Sequence, residues 1–473
     1  MSRMTRRGAI GGALGTAALA VTIPGFAHQP RRKPNFLFMM ADDLGYADLS
    51  CYGRQEYRTP VLDGLAAQGM RFTHGYANSA VCSSTRVALI TGRYQYRLPV
   101  GLDEPLSRPG LGLEPQVPTM PSLLKRQGYH TALVGKWHLG ALPDYGPLQS
   151  GYDEFWGNRG GGVDYYTHGI LPGVGDLWDG DVRIEESGYY TDLLAERSIE
   201  YLDARAAEPA KPWLLSLHFT APHWPWESND AAGQTESARL AAMAHPGGGR
   251  FAIMHNDGGS METYAAMVTN LDANIGRVLA RVRELGMEQD TVVVFTSDNG
   301  GERFANNWPF SGMKTELLEG GIRVPFIVKW PGVTAPGSTS DTPALSMDFV
   351  PTFVAAAGGA ADPAQPSDGI DLAPVLMGLP TPQRDLYWRY FAHDQKAIRR
   401  GRHKYLKIAE NEYLFDVVAD PLERGNLKDR MPDLFTELKR AHAAWDAGML
   451  HDPAAVSYSM GPQDVADHYD PMD

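Results

Sequence analysis

At 473 residues, 43 % hydrophobic and 21 % charged, the chain can bury a large core and has the composition of an ordinary soluble globular protein. Its formal charge is −13, and becomes −16 once the three leader arginines Arg3, Arg6 and Arg7 are set aside. That excludes general nucleic-acid binding, which needs a basic face, but leaves room for a local cationic pocket that takes an anionic substrate. Two cysteines, Cys51 and Cys82, are too few for a disulfide scaffold.

In chain order, residues 1–27 read as an export signal: basic Arg6-Arg7, a small and apolar stretch from Ala9 to Ile23, then Gly25-Phe26-Ala27 before a cleavage point. The paired arginines point to the twin-arginine route, with an ordinary secretory signal or a retained anchor as alternatives. No later segment is long and apolar enough to span a bilayer, so a periplasmic or secreted enzyme without stable membrane insertion is expected. Asn35 to Met40 is a continuous apolar run of strand length that ends in Ala41-Asp42-Asp43-Leu44-Gly45. The design recurs. Thr131–Val134 leads into Gly135-Lys136-Trp137-His138, Trp213–Phe219 into Ala221-Pro222-His223-Trp224-Pro225, and Thr291–Thr296 into Ser297-Asp298-Asn299-Gly300-Gly301. Ile322–Trp330 is a fifth strand candidate, preceded by Lys314 and Glu319-Gly320-Gly321. Between them lie helical patterns, notably Tyr264–Leu285, where Leu271, Ile275, Val278 and Val282 form one apolar face.

Buried strands alternating with helices predict an α/β fold with a large, mostly parallel sheet and a ligand site at the carboxyl ends of its strands. The polar clusters all fall at those ends, so they can converge. Two loops stand apart. Trp156–His168 mixes glycines with aromatic and basic groups, without a P-loop or dinucleotide pattern. Glu227–Ser260 carries a short helical piece near Ala238–Ala244 and is either a lid or a surface insertion. The catalytic unit is expected to span 28–378 and a smaller α+β subdomain 379–473. In the latter, Leu386–Phe391, Ala397–Arg400, His403–Ile408 and Tyr413–Val417 read as antiparallel strands and Pro432–Ala447 as a helix. Trp388, Arg389 and His393 either rim the pocket or simply pack.

The stretch Val81–Arg93 organises the chemistry. Hydroxyl residues follow Cys82, then comes an apolar run closed by Gly92, which predicts a helix with Cys82 at its N-terminus, where free N–H groups and the dipole favour an anion. Arg86 projects nearby, one turn on. Cys82 admits a bland reading, a buried thiol or half of a disulfide with Cys51. A thiolate phosphatase loop does not fit, since only three residues separate Cys82 from Arg86. Asp42, Asp43, Asp298 and Asn299 supply three carboxylates and an amide oxygen, a hard set suited to Ca²⁺ or Mg²⁺ rather than zinc. The bland reading of each acidic pair is a turn or a cap.

Cys82-x-x-x-Arg86 followed by Leu89 and Thr91-Gly92-Arg93 resembles the signature of the type I sulfatases, members of the alkaline phosphatase-like superfamily, whose cysteine is oxidised to formylglycine. The family core is Cys-x-Pro-Ser-Arg; here Ser84 and Thr85 fill the third and fourth places. Asp42-Asp43-Leu44-Gly45 and Ser297-Asp298-Asn299-Gly300 are similar to the two halves of the family's calcium site, to which the residue at 82 also belongs. Gly-Lys136-Trp-His138-Leu-Gly, Ala-Pro-His223-Trp-Pro and Lys314 match the family's sulfate-binding and proton-transfer residues, while His218 is expected to be structural. Thr59–Asp63 and Tyr413–Leu427 also match family segments. The resemblance implies hydrolysis of an aryl sulfate or a sulfated sugar with Ca²⁺ and a formylglycine installed by a maturation enzyme. It implies that Asp298 takes the nucleophile's proton, Arg86 orients the nucleophile, Lys136 and Lys314 hold the sulfate, His223 serves the leaving oxygen and His138 releases the product. Two alternatives stay open: a phosphonate monoester or phosphodiester hydrolase on the same scaffold, and a sulfated-glycan-binding protein with an unmodified cysteine.

Overall fold

The computed structural model describes residues 32–103, 105, 110–171, 174–243, 254–255, 257–381 and 383–452; the export signal lies outside them. The main-sheet strands are β1 (Asn35–Ala41), β2 (Met70–Phe72), β3 (His130–Gly135), β4 (Glu154–Gly157), β5 (Trp178–Asp179), β6 (Val182–Arg183), β7 (Trp213–His218), β8 (Thr291–Ser297), β9 (Phe326–Lys329) and β10 (Ser338–Ser340). Their order is β10-β2-β9-β8-β1-β7-β3-β4-β5-β6. The middle five, β8-β1-β7-β3-β4, are parallel. The wings are mixed: β9 runs antiparallel to β8 and β2, and β5 antiparallel to β4.

The fifth strand candidate, Ile322–Trp330, is present as β9 and runs antiparallel to β8. Residues 298–325, which link β8 to β9, carry only the single helical turn Glu319–Ile322 and not the long crossover helix that usually joins parallel neighbours. The central strands are apolar along their whole length because helices cover both faces. β1 shows this directly: Leu37, Met39 and Ala41 enter one core, and Phe36, Phe38 and Met40 the other. The first core is closed by α1 (Pro60–Gln68), the second by α2 (Cys82–Thr91) and α3 (Met120–Lys125). Farther along, α4 (Tyr190–Ala206), α5 (Ala231–Met243) and α6 (Met261–Glu284) follow, then α7 (Phe349–Ala356). α4 and α6 add to the first core and α7 to the second. The predicted stripe of α6, Leu271, Ile275, Val278 and Val282, is buried, and Ser260 caps the helix by accepting from the Thr263 N–H at 3.1 Å.

The C-terminal sheet is an antiparallel meander of β11 (Asp385–Tyr390), β12 (Gln395–Arg400), β13 (His403–Ile408) and β14 (Asn411–Asp416), with α8 (Pro432–Asp446) packed on it. Trp388 is fully buried and its indole donates to the Ala77 carbonyl at 2.9 Å, while Arg389 pairs with Asp446. Both pack rather than rim a pocket. Gln395 reaches the large sheet's loops, donating to the Thr315 carbonyl and accepting from the Leu317 N–H, each at 2.8 Å. The small sheet thus braces the residue next to Lys314.

Candidate active site

α2 begins on Cys82 itself, after Val81 in extended conformation, and ends at Gly92, whose φ of 69° is the left-handed geometry that closes a helix. No side chain caps its start. The hydroxyls following Cys82 sit inside the first turn instead: Thr85 Oγ1 accepts from the Ser79 N–H at 2.9 Å and donates to the Ser79 carbonyl, and Ser84 donates to the Gly101 carbonyl at 3.2 Å. No disulfide joins Cys82 to Cys51. Cys51 lies elsewhere, beside Asp63, where burial followed by that carboxylate pushes its thiol up to about 12.

The strand ends bring the remaining groups to Cys82. Asp42 and Asp43 follow β1, Lys136 and His138 follow β3, His223 follows β7, and Asp298 and Asn299 follow β8. All are buried. Lys136 Nζ donates to Asp42 Oδ2 at 2.5 Å and Lys314 Nζ to Asp43 Oδ2 at 2.6 Å. Arg86 grips Asp298 Oδ2 through Nη2 at 2.8 Å and Nε at 3.2 Å, and its Nη2 lies 3.6 Å from Asp42. His138 Nδ1 is 3.4 Å from Cys82 Sγ, and His223 Nε2 is 3.5 Å from Asp43 Oδ2. Asn299 Nδ2 donates to Asp43 Oδ1 at 2.7 Å. Every residue singled out from the sequence for this site is in one cluster.

Three carboxylates, Asp42, Asp43 and Asp298, thus face three cations, Lys136, Arg86 and Lys314. Burial and then Asp298 push the Asp42 carboxyl well above the ordinary range, against Lys136 and Arg86. For Asp298 burial acts upward as well, but Arg86 and then Lys136 outweigh it and hold the group low. Burial disfavours the charge on both lysines, yet Asp42 keeps Lys136 and Asp43 keeps Lys314 raised, so both remain ammonium groups. Burial, then Lys314 and Lys136, hold His223 well below the ordinary imidazole value. Its Nδ1 lies 2.7 Å from the Trp224 carbonyl, which can only accept, so Nδ1 carries the proton and Nε2 faces the carboxylates. His218 is brought down to about 3 by burial and Arg86. With its ring edge on Phe38 it is the neutral, structural histidine expected.

The oxygens fit a hard cation. Asp42 Oδ1 and Asn299 Oδ1 are buried without a hydrogen-bond partner, a costly state unless a cation meets them. Ligand atoms of Asp42, Cys82 and Asp298 lie within 4.8 Å of one another, as do those of Asp42, Asp43 and His223. Three left-handed non-glycine residues also lie here. Asp43, His138 and Thr315 adopt φ of 60°, 57° and 74°, each costing roughly 1–3 kcal/mol. The C-terminal sheet holds the third through Gln395.

The sequence did not point to several supporting groups. Glu302 is buried 3.9 Å from Lys314 Nζ. Asp176 accepts from the backbone N–H groups of Arg159 and Gly160 at 3.2 and 2.6 Å, which sets residues 158–162 against the site. A Cβ on Gly161 would lie 2.6 Å from His138 Cε1, and one on Gly162 3.2 Å from His223 Cε1. Only glycine admits both imidazoles this close. Among the described residues the two open loops form one packed unit. Tyr165 N–H donates to Glu227 Oε2 at 2.9 Å, Ser237 to Asp164 at 2.9 Å, and Tyr165 OH to the His223 carbonyl at 2.9 Å. α5 extends well beyond the predicted helical piece.

Glu227 gives a pH test of that unit. Burial and then Asp164 raise its carboxyl well above its ordinary 4.5. A raised carboxyl contributes stability that is complete below 4.5 and lost as pH climbs toward the folded value. Glu227→Gln has no such loss, so its Tm relative to wild type should rise by about 1–3 °C between about pH 5 and pH 9. A pH-independent offset in calorimetry would refute this.

Comparison with known proteins decides the family. A sequence profile described as Sulfatase matches residues 34–360, and one described as N-sulphoglucosamine sulphohydrolase, C-terminal, matches 313–443. The chain is a member of the sulfatase family. It is 32 % identical to arylsulfatase A of Bos taurus over 95 % of each chain, and 28 % identical to N-acetylgalactosamine-6-sulfatase of Canis lupus familiaris over 78 % of this chain and 71 % of that one. Among solved structures it is similar to Ps i-CgsB in complex with k-i-k-neocarrahexaose, with a TM-score of 0.80 and 28 % identity over 90 % and 95 % of the two chains. This sulfatase therefore has the alkaline phosphatase-like fold predicted for it and is a sulfuric ester hydrolase. No helix of its described residues is long and apolar enough to cross a membrane.

Proposed function

We propose that this sulfatase hydrolyses sulfate monoesters, of the aryl or carbohydrate class, with a formylglycine made from Cys82 and a Ca²⁺ ion held by Asp42, Asp43, Asp298, Asn299 and residue 82. The observation that carries the reading is the placing of Cys82, first residue of a helix, against four convergent oxygen-bearing side chains and two buried ammonium groups. When present, the ion supplies positive charge for the sulfate oxygens, and the aldehyde hydrate supplies a hydroxyl nucleophile.

The chain's own residues do the rest. Lys136 and Lys314 bind and neutralise the sulfate, worth most in a site closed to water. Arg86, tied to Asp298, fixes the side chain at 82 through the helix they share. His138 is close enough to residue 82 to move a proton there. His223 presents Nε2; burial and then the charge of Lys314 and Lys136 keep this ring neutral, and an anionic substrate offsets the lysine charge, so that Nε2 can take up a proton from solvent and give it to the leaving oxygen. The k-i-k-neocarrahexaose bound by Ps i-CgsB and the sugar named for N-acetylgalactosamine-6-sulfatase support the carbohydrate class. Export through residues 1–27 and modification by a formylglycine-generating enzyme complete the proposal.

Mass spectrometry of the peptide containing Cys82 should show aldehyde in place of thiol. Chelation should abolish turnover of 4-nitrophenyl sulfate, and Ca²⁺ should restore it better than Mg²⁺. A thiol in fully active enzyme, or activity indifferent to chelation, would sink the proposal. Faster turnover of phosphonate or phosphate analogues would favour the rival hydrolase. An intact thiol with tight sulfated-glycan binding and no turnover would favour the binding protein.

A further inference from the structure

Trp224 stands at the site outside its charged network. Its ring centroid is 4.1 Å from that of His223, with the planes inclined at 46°, and Lys314 Nζ lies 5.8 Å from the indole centroid. A Cβ on Gly162 would lie 3.1 Å from Trp224 Cζ3, so loop backbone is pressed against the indole edge. The backbone beside it is anchored too, since the Trp224 carbonyl accepts from His223. Yet the residue keeps part of its surface open to solvent, whereas Trp213, Trp226 and Trp388, which serve cores, are 1, 2 and 0 % exposed. The indole packs against the first core on one side, and its open part, beside His223 and within cation–π reach of Lys314, is left to meet a ligand.

We propose that Trp224 is a specificity-determining platform for the leaving group, which favours esters whose oxygen is carried directly on a ring. This rests on the reading above in which His223 serves the leaving oxygen: a group departing beside that imidazole passes over the open part of the indole. An aryl ring meets it by stacking, and a pyranose by its apolar C–H face. An acyclic leaving group gains nothing there.

The test uses the full-length, unconverted protein, so that binding is read without turnover. Affinities of 4-nitrophenyl sulfate, glucose 3-sulfate and inorganic sulfate are measured by calorimetry for wild type, Trp224→Phe and Trp224→Ala. The alanine variant should lose about tenfold for a ring-bearing ligand and change less than about twofold for inorganic sulfate, with phenylalanine recovering most of the aryl loss. Loss for the aryl ester alone, or for the sugar ester alone, supports the platform and names the class it takes. Equal weakening of all three ligands, no weakening, or no recovery by phenylalanine overturns it. A selective binding loss in a protein whose converted form turns over no sulfate ester would refute the formylglycine mechanism and leave the platform standing.

Discussion

Cys82→Ala abolishes sulfate-ester turnover, lowering kcat by about 10⁴-fold or more, while the fold and inorganic sulfate binding persist. The expectation follows from position. Cys82 is the first helical residue of α2, so alanine costs no backbone strain and keeps the helix start. The grip of Arg86 on Asp298 and the Lys136 and Lys314 pairs do not pass through the Cys82 side chain, and they hold the anion site together without it. What disappears is the atom proposed to give rise to the nucleophile, 3.4 Å from His138. Cys82→Ser separates shape from chemistry, because it preserves size but not the oxidisable sulfur. Steady-state assays on 4-nitrophenyl sulfate decide the matter. An alanine variant retaining more than about one per cent of turnover removes Cys82 from the mechanism.

Lys314→Met should lower kcat/KM by about 10²- to 10³-fold and also destabilise the fold by about 3–5 kcal/mol. Removing the ammonium group leaves Asp43 buried, with Asn299 Nδ2 still bonded to it but without the cation 2.6 Å away. The cost belongs to the uncompensated charge, so the double variant Lys314→Met with Asp43→Asn should regain most of the stability and none of the activity. Calcium should partly restore the single variant's stability by offsetting the same charge. Urea melts with and without calcium, run beside the kinetics, read both effects. A double variant as active as wild type would show that Lys314 and Asp43 only pack.

Those two experiments probe groups that differ in how legible they were. Cys82 could be read locally, because a helix start and a glycine stop leave marks within a dozen residues. Lys314 had no such mark. Its partner Asp43 is 271 positions away, and the brace on the left-handed Thr315 beside it, Gln395 on β12, belongs to a different sheet. The Trp388 and Arg389 side chains of that sheet could equally have lined a pocket; burial against Ala77 and Asp446 decided otherwise. β9 kept its predicted place, and its direction came only from the structure, since hydropathy is the same read along either sense of a strand. The open loops proved to be joined by Glu227, Asp164 and Ser237, a pairing carried by side chains about 60–70 residues apart that no local pattern announces.

By itself the sequence determined the continuous apolar strands, the polar clusters at their carboxyl ends and the chemical types available there: a cysteine, hard oxygens, ammonium groups and imidazoles. These are local properties, set by hydropathy runs and by what each side chain can donate, accept or ionise. Only the tertiary structure decided which charges meet, which imidazole nitrogen is tied down and which glycines let a loop lie against both histidines. Ion pairing and close packing act over a few ångströms in space, and the parallel sheet brings together within that range groups that the chain separates by hundreds of residues.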